Sequence, residues 1–183
     1  MRKEKDFGPL TPLKYDQFRD FCAAKMSLFS SRTAEWEKRT NTYSNFLTYD
    51  FNAAEGIKYG HLGSPLILIE EANKRKIPIE STFIEIKKDK FLQLQENIAN
   101  FESAKDFIIS KRINLINGDN EHYFNDIIKK IKNMEAGGIE NIEGLLFFDT
   151  NDLEHLDFCK KFFHSKITTD VDLLTFYSAA SIK

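Results

Sequence analysis

The sequence predicts an α/β domain: a mostly parallel sheet of about five strands sandwiched between helices in three layers. Three observations carry this. Short apolar runs alternate with longer runs of helical periodicity. The connections between apolar runs are long enough for crossover helices, which parallel strands require. And four of the runs close on an acid, at Asp50, Glu85, Asp119 and Asp149. Alternation of this kind predicts a doubly wound sheet, whose ligands bind at the carboxyl ends of the strands near the topological switch point.

Each element follows from its residues. Lys14 to Met26 carries Tyr15, Phe18, Phe21 and Cys22 at helical spacing, with Pro12 near the start where a missing amide hydrogen costs little. Ala34 to Arg39, around Trp36, predicts a second helical piece. Tyr43 to Tyr49 is the first strand. Ser64 to Lys74 is a helix with Ser64 as N-cap and Pro65 at its first position. Glu80 to Ile86 is the second strand, and Lys88 to Asn100 the helix after it. Asn114 to Asn117 is a third, short strand, closed by Gly118-Asp119. His122 to Lys132 is helical, on Tyr123, Phe124, Ile127, Ile128 and Ile131. Gly144 to Phe148 is a buried strand ending at Asp149. Leu153 to Phe163 is helical, and Asp172 to Tyr177 is the fifth strand.

With 183 residues the chain suits one domain over 1–183, residues 1–40 forming a helical segment that packs on or caps the core. It is 42% hydrophobic and 30% charged, a globular composition. The formal net charge of −2 supplies no global basic field, so nucleic acid remains open as a partner but charge does not indicate it. Cys22 and Cys159 lie inside apolar helical patterns and read as inert thiols rather than a disulfide framework. No apolar run approaches the ~20 residues of a membrane span. The charged amino terminus lacks a signal-peptide core, so the expected compartment is the cytoplasm.

The strand-end acids are the candidate site. In a parallel sheet all four lie along one rim, where crowded carboxylates are costly unless hydrated or matched by a ligand's donors. A nucleoside with a charged amine matches them. A ribose diol suits Glu85, although the separation from Gly56 exceeds the ~20 residues of a dinucleotide fingerprint. An adenine amine suits Asp119, and a cationic amino-acid tail suits Asp50. The small residues after Asp50, in Asn52-Ala53-Ala54-Glu55-Gly56, let backbone approach a ligand. Each acid has a plainer reading as well, since an acid after a strand is often the N-cap of the next helix. Asp119 and Asp149 are evenly balanced between the two. A metal shared by Asp119 and His122 has only generic spacing behind it, so no metal is expected. His61 reads as a loop residue.

These segments resemble the class I S-adenosylmethionine-dependent methyltransferases, and more closely the three-Cys-motif partner protein family. The carriers are Tyr49-Asp50-Phe51-Asn52-Ala53-Ala54-Glu55-Gly56, Gly63-Ser64-Pro65-Leu66-Ile67, Phe83-Ile84-Glu85, Asn117-Gly118-Asp119, Phe147-Phe148-Asp149 and Asp172 to Ser178. The resemblance covers roughly residues 43 to 183. It implies a Rossmann-like sandwich, truncated relative to the seven-stranded methyltransferase fold, and S-adenosylmethionine as cofactor. It implies that Asp50 and the backbone from Asn52 through Ala53 and Ala54 to Gly56 lie near the methionine part. It places Glu85 at the ribose, Asp119 and Asn120 at the adenine, and Asp149 with Asn151 where acceptor or catalytic groups stand. The family name also implies a protein partner carrying a cysteine motif.

Three departures accompany the resemblance. Ala54-Glu55 replaces the expected Gly-Pro, and a methyl group at Ala54 is tolerated if its backbone dihedrals stay negative. Asp149-Thr150-Asn151 is not the signature of amino-group methylation. The chain stops soon after the fifth strand, which leaves a sheet edge where a protein partner or a second copy would add. The expected function is therefore an S-adenosylmethionine-binding methyltransferase-like protein of unknown acceptor. The alternatives are an inactive binding or regulatory module of the same fold, and a fold-only relative.

Overall fold

The computed structural model describes residues 11–40, 45–58, 60–139, 142–150 and 156–177. Its main sheet contains β1 (Asn45–Asp50), β4 (Ile79–Glu85), β5 (Ile113–Asn117), β6 (Ile142–Thr150) and β7 (Asp170–Tyr177). The strands stand in the order β5-β4-β1-β6-β7, and every neighbouring pair is parallel. Successive strands step outward from β1 in one direction and then, from β6, in the other. This is the doubly wound, Rossmann-like arrangement, with its switch point between β1 and β6.

Alternation along the strands builds two cores. Phe46, Phe83, Leu145 and Phe147 face one way, onto α1 (Thr11–Thr40), α2 (Ser64–Arg75) and α3 (Lys88–Ala99). Leu47, Ile84, Leu146 and Phe148 face the other way, onto α5 (Asn120–Ala136) and α6 (Leu156–His164). A strand buried on both faces reads as a continuous apolar run, which is why Leu145-Leu146-Phe147-Phe148 is so apolar. A 3₁₀ turn (Glu102–Ala104) and the short α4 (Lys105–Ile109) join α3 to β5. Among the described residues no helix is long and apolar enough to cross a membrane.

The structure departs from the sequence reading at its amino end. One continuous helix, α1, replaces the two expected pieces. Ser27, Ser31 and Thr33 fall between the two expected pieces, and each hydroxyl donates back to the carbonyl four residues earlier in the same helix. Tertiary contacts hold the helix through this stretch. Phe18, Cys22, Met26 and Phe29 form one buried stripe at helical spacing. The Lys25 ammonium reaches Asp170 at 3.0 Å and Asp172 at 2.9 Å, and Arg19 pairs with Glu70 and Glu71. The expected strand residues Tyr43 and Ser44, and helix residues 153–155, lie outside the described residues.

A hairpin also stands where the sequence suggested a plain loop. β2 (Ile57–Lys58) pairs antiparallel with β3 (His61–Leu62). Its base is closed by the Gly63 amide donating to the Gly56 carbonyl at 2.6 Å. A Cβ on Gly63 would sit 3.0 Å from that oxygen, so any side chain there would press against the closure.

Phe18 is fully buried, with its ring centroid 4.3 Å from that of Phe147. Phe18→Ala is expected to destabilise the fold by about 3–5 kcal/mol, whereas Leu13→Ala, at an exposed position of the same helix, is expected to change it by less than about 0.5 kcal/mol. Urea unfolding of both variants checks the contrast.

Candidate functional site

Asp50 closes β1, is fully buried, and spends both carboxylate oxygens on its own chain. Oδ1 accepts from the Asn52 amide at 3.0 Å, and Oδ2 accepts from the Ser64 hydroxyl. This corrects the expectation for Ser64. Gly63 occupies the cap position of α2 with no side-chain cap bond, while Ser64 and Pro65 are the first two helical residues. The serine is drawn to Asp50 instead, because a buried carboxylate without a donor costs more than a missing cap.

Burial pushes the Asp50 carboxyl up to about 7. The Ser64 and Asn52 donors pull it down, and the charges of Asp149 and Glu85 push it up further. Asp50 thus carries more protons folded than unfolded between roughly pH 4 and 7.

The turn after Asp50 is held from every side. The Phe51 amide donates to the Phe147 carbonyl at 3.0 Å, and the Ala53 amide to the Ile84 carbonyl at 3.1 Å. The Ala54 amide donates to Glu85 Oε2 at 2.9 Å. Asn97 donates to the Glu55 carbonyl at 2.6 Å. Residues 51–56 therefore form a rigid backbone cradle across the ends of β1, β4 and β6. Ala54 has φ +50° and Gly56 φ +75°. The condition that would have made Ala54 harmless, a negative φ, is not met. A left-handed alanine costs about 1–2 kcal/mol, and the neighbouring bonds hold it there.

Glu85 closes β4 and is nearly buried. Besides Ala54, it accepts from the Lys87 amide through Oε1 at 2.7 Å. One donor on each oxygen leaves acceptor capacity on both. Ile86, beside it, is 59% exposed and gives the rim an apolar face that the sequence reading missed.

Asp119 is the N-cap of α5, accepting from the amides of Glu121 at 2.8 Å and His122 at 3.2 Å. Its two readings were balanced, and the capping role is the one seen. Two side-chain oxygens at the rim, Asn52 Oδ1 and Asn120 Oδ1, are buried without a hydrogen-bond partner. Orphaned acceptors of this kind are uncommon and mark places where a donor is missing.

Asp149 stands near the end of β6, paired across the sheet with Phe176 of β7. Its carboxylate pairs with the Lys14 ammonium from α1. Tyr15 lies close by. Burial, then the charges of Asp149, Asp50 and Glu55, push its hydroxyl up. The sequence reading gave α1 a covering role but no part for Lys14 or Tyr15, because only the tertiary fold brings the helix to this rim. Asn151 lies outside the described residues. Among the described residues no group of three or more His, Cys, Asp or Glu side chains converges as a metal site.

No protein-family profile matches the sequence, and no curated protein matches it. Two solved structures show a likeness. A SAM-dependent methyltransferase from Agrobacterium tumefaciens aligns with 94% of this chain and 46% of its own, at 11% identity and a TM-score of 0.47. The glycopeptide N-methyltransferase MtfA, complexed with sinefungin, aligns with 49% of this chain and 29% of its own, at 19% identity and a TM-score of 0.26. The chain thus spans about half the length of the first of these and less of the second.

Two measurements check the cradle. An acid raised in the folded state contributes stability that is present below its unfolded pKa and lost as pH rises through its folded value. Thermal stability of the wild type is therefore expected to fall from pH 5 to 8, and that component is expected to vanish in Asp50→Asn. Ala54→Gly removes the left-handed strain and is expected to stabilise the fold by up to about 1 kcal/mol, read by denaturant titration.

Proposed function

We propose that this protein binds S-adenosylmethionine at the carboxyl edge of β1, β4 and β5 and transfers its methyl group to an acceptor held near Asp149. The observation that carries the reading is the cradle over residues 51–56, closed by Glu85 and bordered by the orphaned oxygens of Asn52 and Asn120. A nucleoside offers hydroxyl donors for Glu85 and an exocyclic amine for Asn120 or the unused lone pairs of Asp119. An amino-acid tail offers an ammonium for Asn52. The exposed face of Ile86 suits a flat base.

Charge supports the same ligand. Asp50, Glu55, Glu85 and Asp149 crowd this rim, and Lys14 and Lys90 are cations paired there, Lys90 with Glu55 at 3.5 Å. Excess negative charge favours a ligand bearing positive centres. Bound S-adenosylmethionine would supply an electrophilic methyl group on a sulfonium. The chain's part is to bind, orient and exclude water, since such a transfer depends on placement more than on a strong base. Asp50 acts here as a positioning residue through the turn and Ser64. Asp149, with Asn151, is assigned to the acceptor. Within the superfamily, the Gly63-Ser64-Pro65-Leu66 helix start favours the three-Cys-motif partner proteins.

Calorimetric titration of S-adenosylmethionine into the purified chain tests the assignment. Micromolar affinity is expected, with Glu85→Gln weakening it on the order of 10- to 100-fold, the loss of one or two charge-assisted hydrogen bonds. Circular dichroism of the variant separates lost binding from lost fold. Failure to bind at millimolar cofactor, or unchanged affinity in a folded Glu85→Gln, defeats the reading.

A further inference from the structure

The ammonium of Lys14 sits against the Asp149 carboxylate and faces the Phe176 ring, 5.5 Å from its centroid. Carboxylate and ring come from neighbouring strands in register, Asp149 on β6 and Phe176 on β7. The sheet therefore supplies the carboxylate and one ring of the cation site, and the helix supplies the occupant and the Tyr15 ring, 5.8 Å from the ammonium. A carboxylate beside an aromatic face is the pairing that recognises an alkylammonium group.

The occupant is also the loosely held part of α1. Lys14 belongs to its first turn, next to the exposed Leu13, and its side chain is 25% exposed against 19% for Asp149. The helix backbone is anchored by Tyr15 and Phe18 against the core and by Lys25 further along, none of which depends on the Lys14 ammonium. Lys14 can leave by side-chain rotation without disturbing them. A hydroxyl or a carboxylate taking its place would leave Asp149 without a counter-charge in partly buried surroundings, where Asp50 and Glu55 add to the negative field.

We propose that Asp149 and Phe176 form a binding site for an alkylammonium group, that Lys14 occupies it as an internal ligand, and that the methyl acceptor is an amine that displaces Lys14. For transfer the bound ammonium gives up a proton to solvent beside Asp149; the freed lone pair forms the N–C bond as the sulfonium S–CH3 bond breaks, and the cofactor leaves as its neutral thioether. The acceptor role rests on the methyltransferase reading; ammonium binding stands on the carboxylate and the ring alone.

The test titrates n-butylammonium chloride, against sodium chloride of equal ionic strength, into wild type, Lys14→Met and Lys14→Met/Asp149→Asn. Backbone amide NMR shifts at residues 147–149 and 174–176 are followed. Methionine keeps the apolar stem, and the same spectra report whether each variant is folded. Saturable shifts are expected in Lys14→Met at concentrations on the order of tenfold below the wild type, because the tethered ammonium no longer competes. The double variant is expected to show no saturable shift. Absence of saturation in Lys14→Met, or equal binding by the double variant, overturns the site. S-adenosylmethionine titrated into the same Lys14→Met sample keeps the two claims apart. Amine bound without cofactor removes the acceptor role and leaves the ammonium site. Cofactor bound without amine overturns the ammonium site, and the amine acceptor with it, and leaves the cofactor reading standing.

Discussion

One buried carboxylate ties the site together. Asp50 reaches the amide of Asn52 on one side and the hydroxyl of Ser64 on the other. It therefore joins the end of β1 and the turn that follows to the start of α2, which only folding brings beside them. Burying a carboxyl group is unfavourable unless donors meet it or it takes up a proton. Here both happen, since two donors are supplied and the carboxyl still rises to about 7. The shape of the cradle follows from satisfying this group. The glycine at the base of the hairpin and the left-handed Ala54 are consequences of the path the chain takes around it.

The second constraint is electrostatic. Placing acids at the ends of parallel strands concentrates negative charge on one rim, and the fold answers with its own cations. Lys14 comes from α1 to Asp149, and Lys90 from α3 to Glu55. Further along α1, Lys25 and Arg32 meet Glu143 and Asp170. The amino-terminal helix is thus held by a buried apolar stripe from Phe18 to Phe29 and by ion pairs at Lys14, Lys25 and Arg32. The pair at the rim keeps both side chains within reach of solvent, and an incoming ammonium would replace the charge that Lys14 withdraws. A ligand of the right charge can therefore compete for that position without unfolding the helix.

Much of this architecture was legible in the sequence. The Leu-Leu-Phe-Phe run of β6 and the alternation around Phe83 are local patterns, and they determine which segments are strands. Asp119 at the start of α5 was readable as a cap, since the side chain and the amides it bonds lie within three residues. The continuity of α1 was not readable. Its serines favour a break by local preference, and only the contacts with α2, β6 and β7 outweigh that preference. The role of Ser64 was misread for the same reason. A serine before proline is a good cap locally, but Asp50 lies fourteen residues away in sequence and wins the hydroxyl.

By itself, the sequence determined the fold class, the order of the five sheet strands and of the helices α2, α3, α5 and α6 between them, and the four acids at strand ends. Those follow from hydrophobic periodicity and turn chemistry, which act over a few residues. The tertiary structure alone decided that Asp50 is spent inside the protein, that Glu85 holds the Ala54 amide, and that Lys14 covers Asp149. These are contacts between residues far apart in the chain. No local pattern encodes them, because each depends on the strand order and register that bring the partners together.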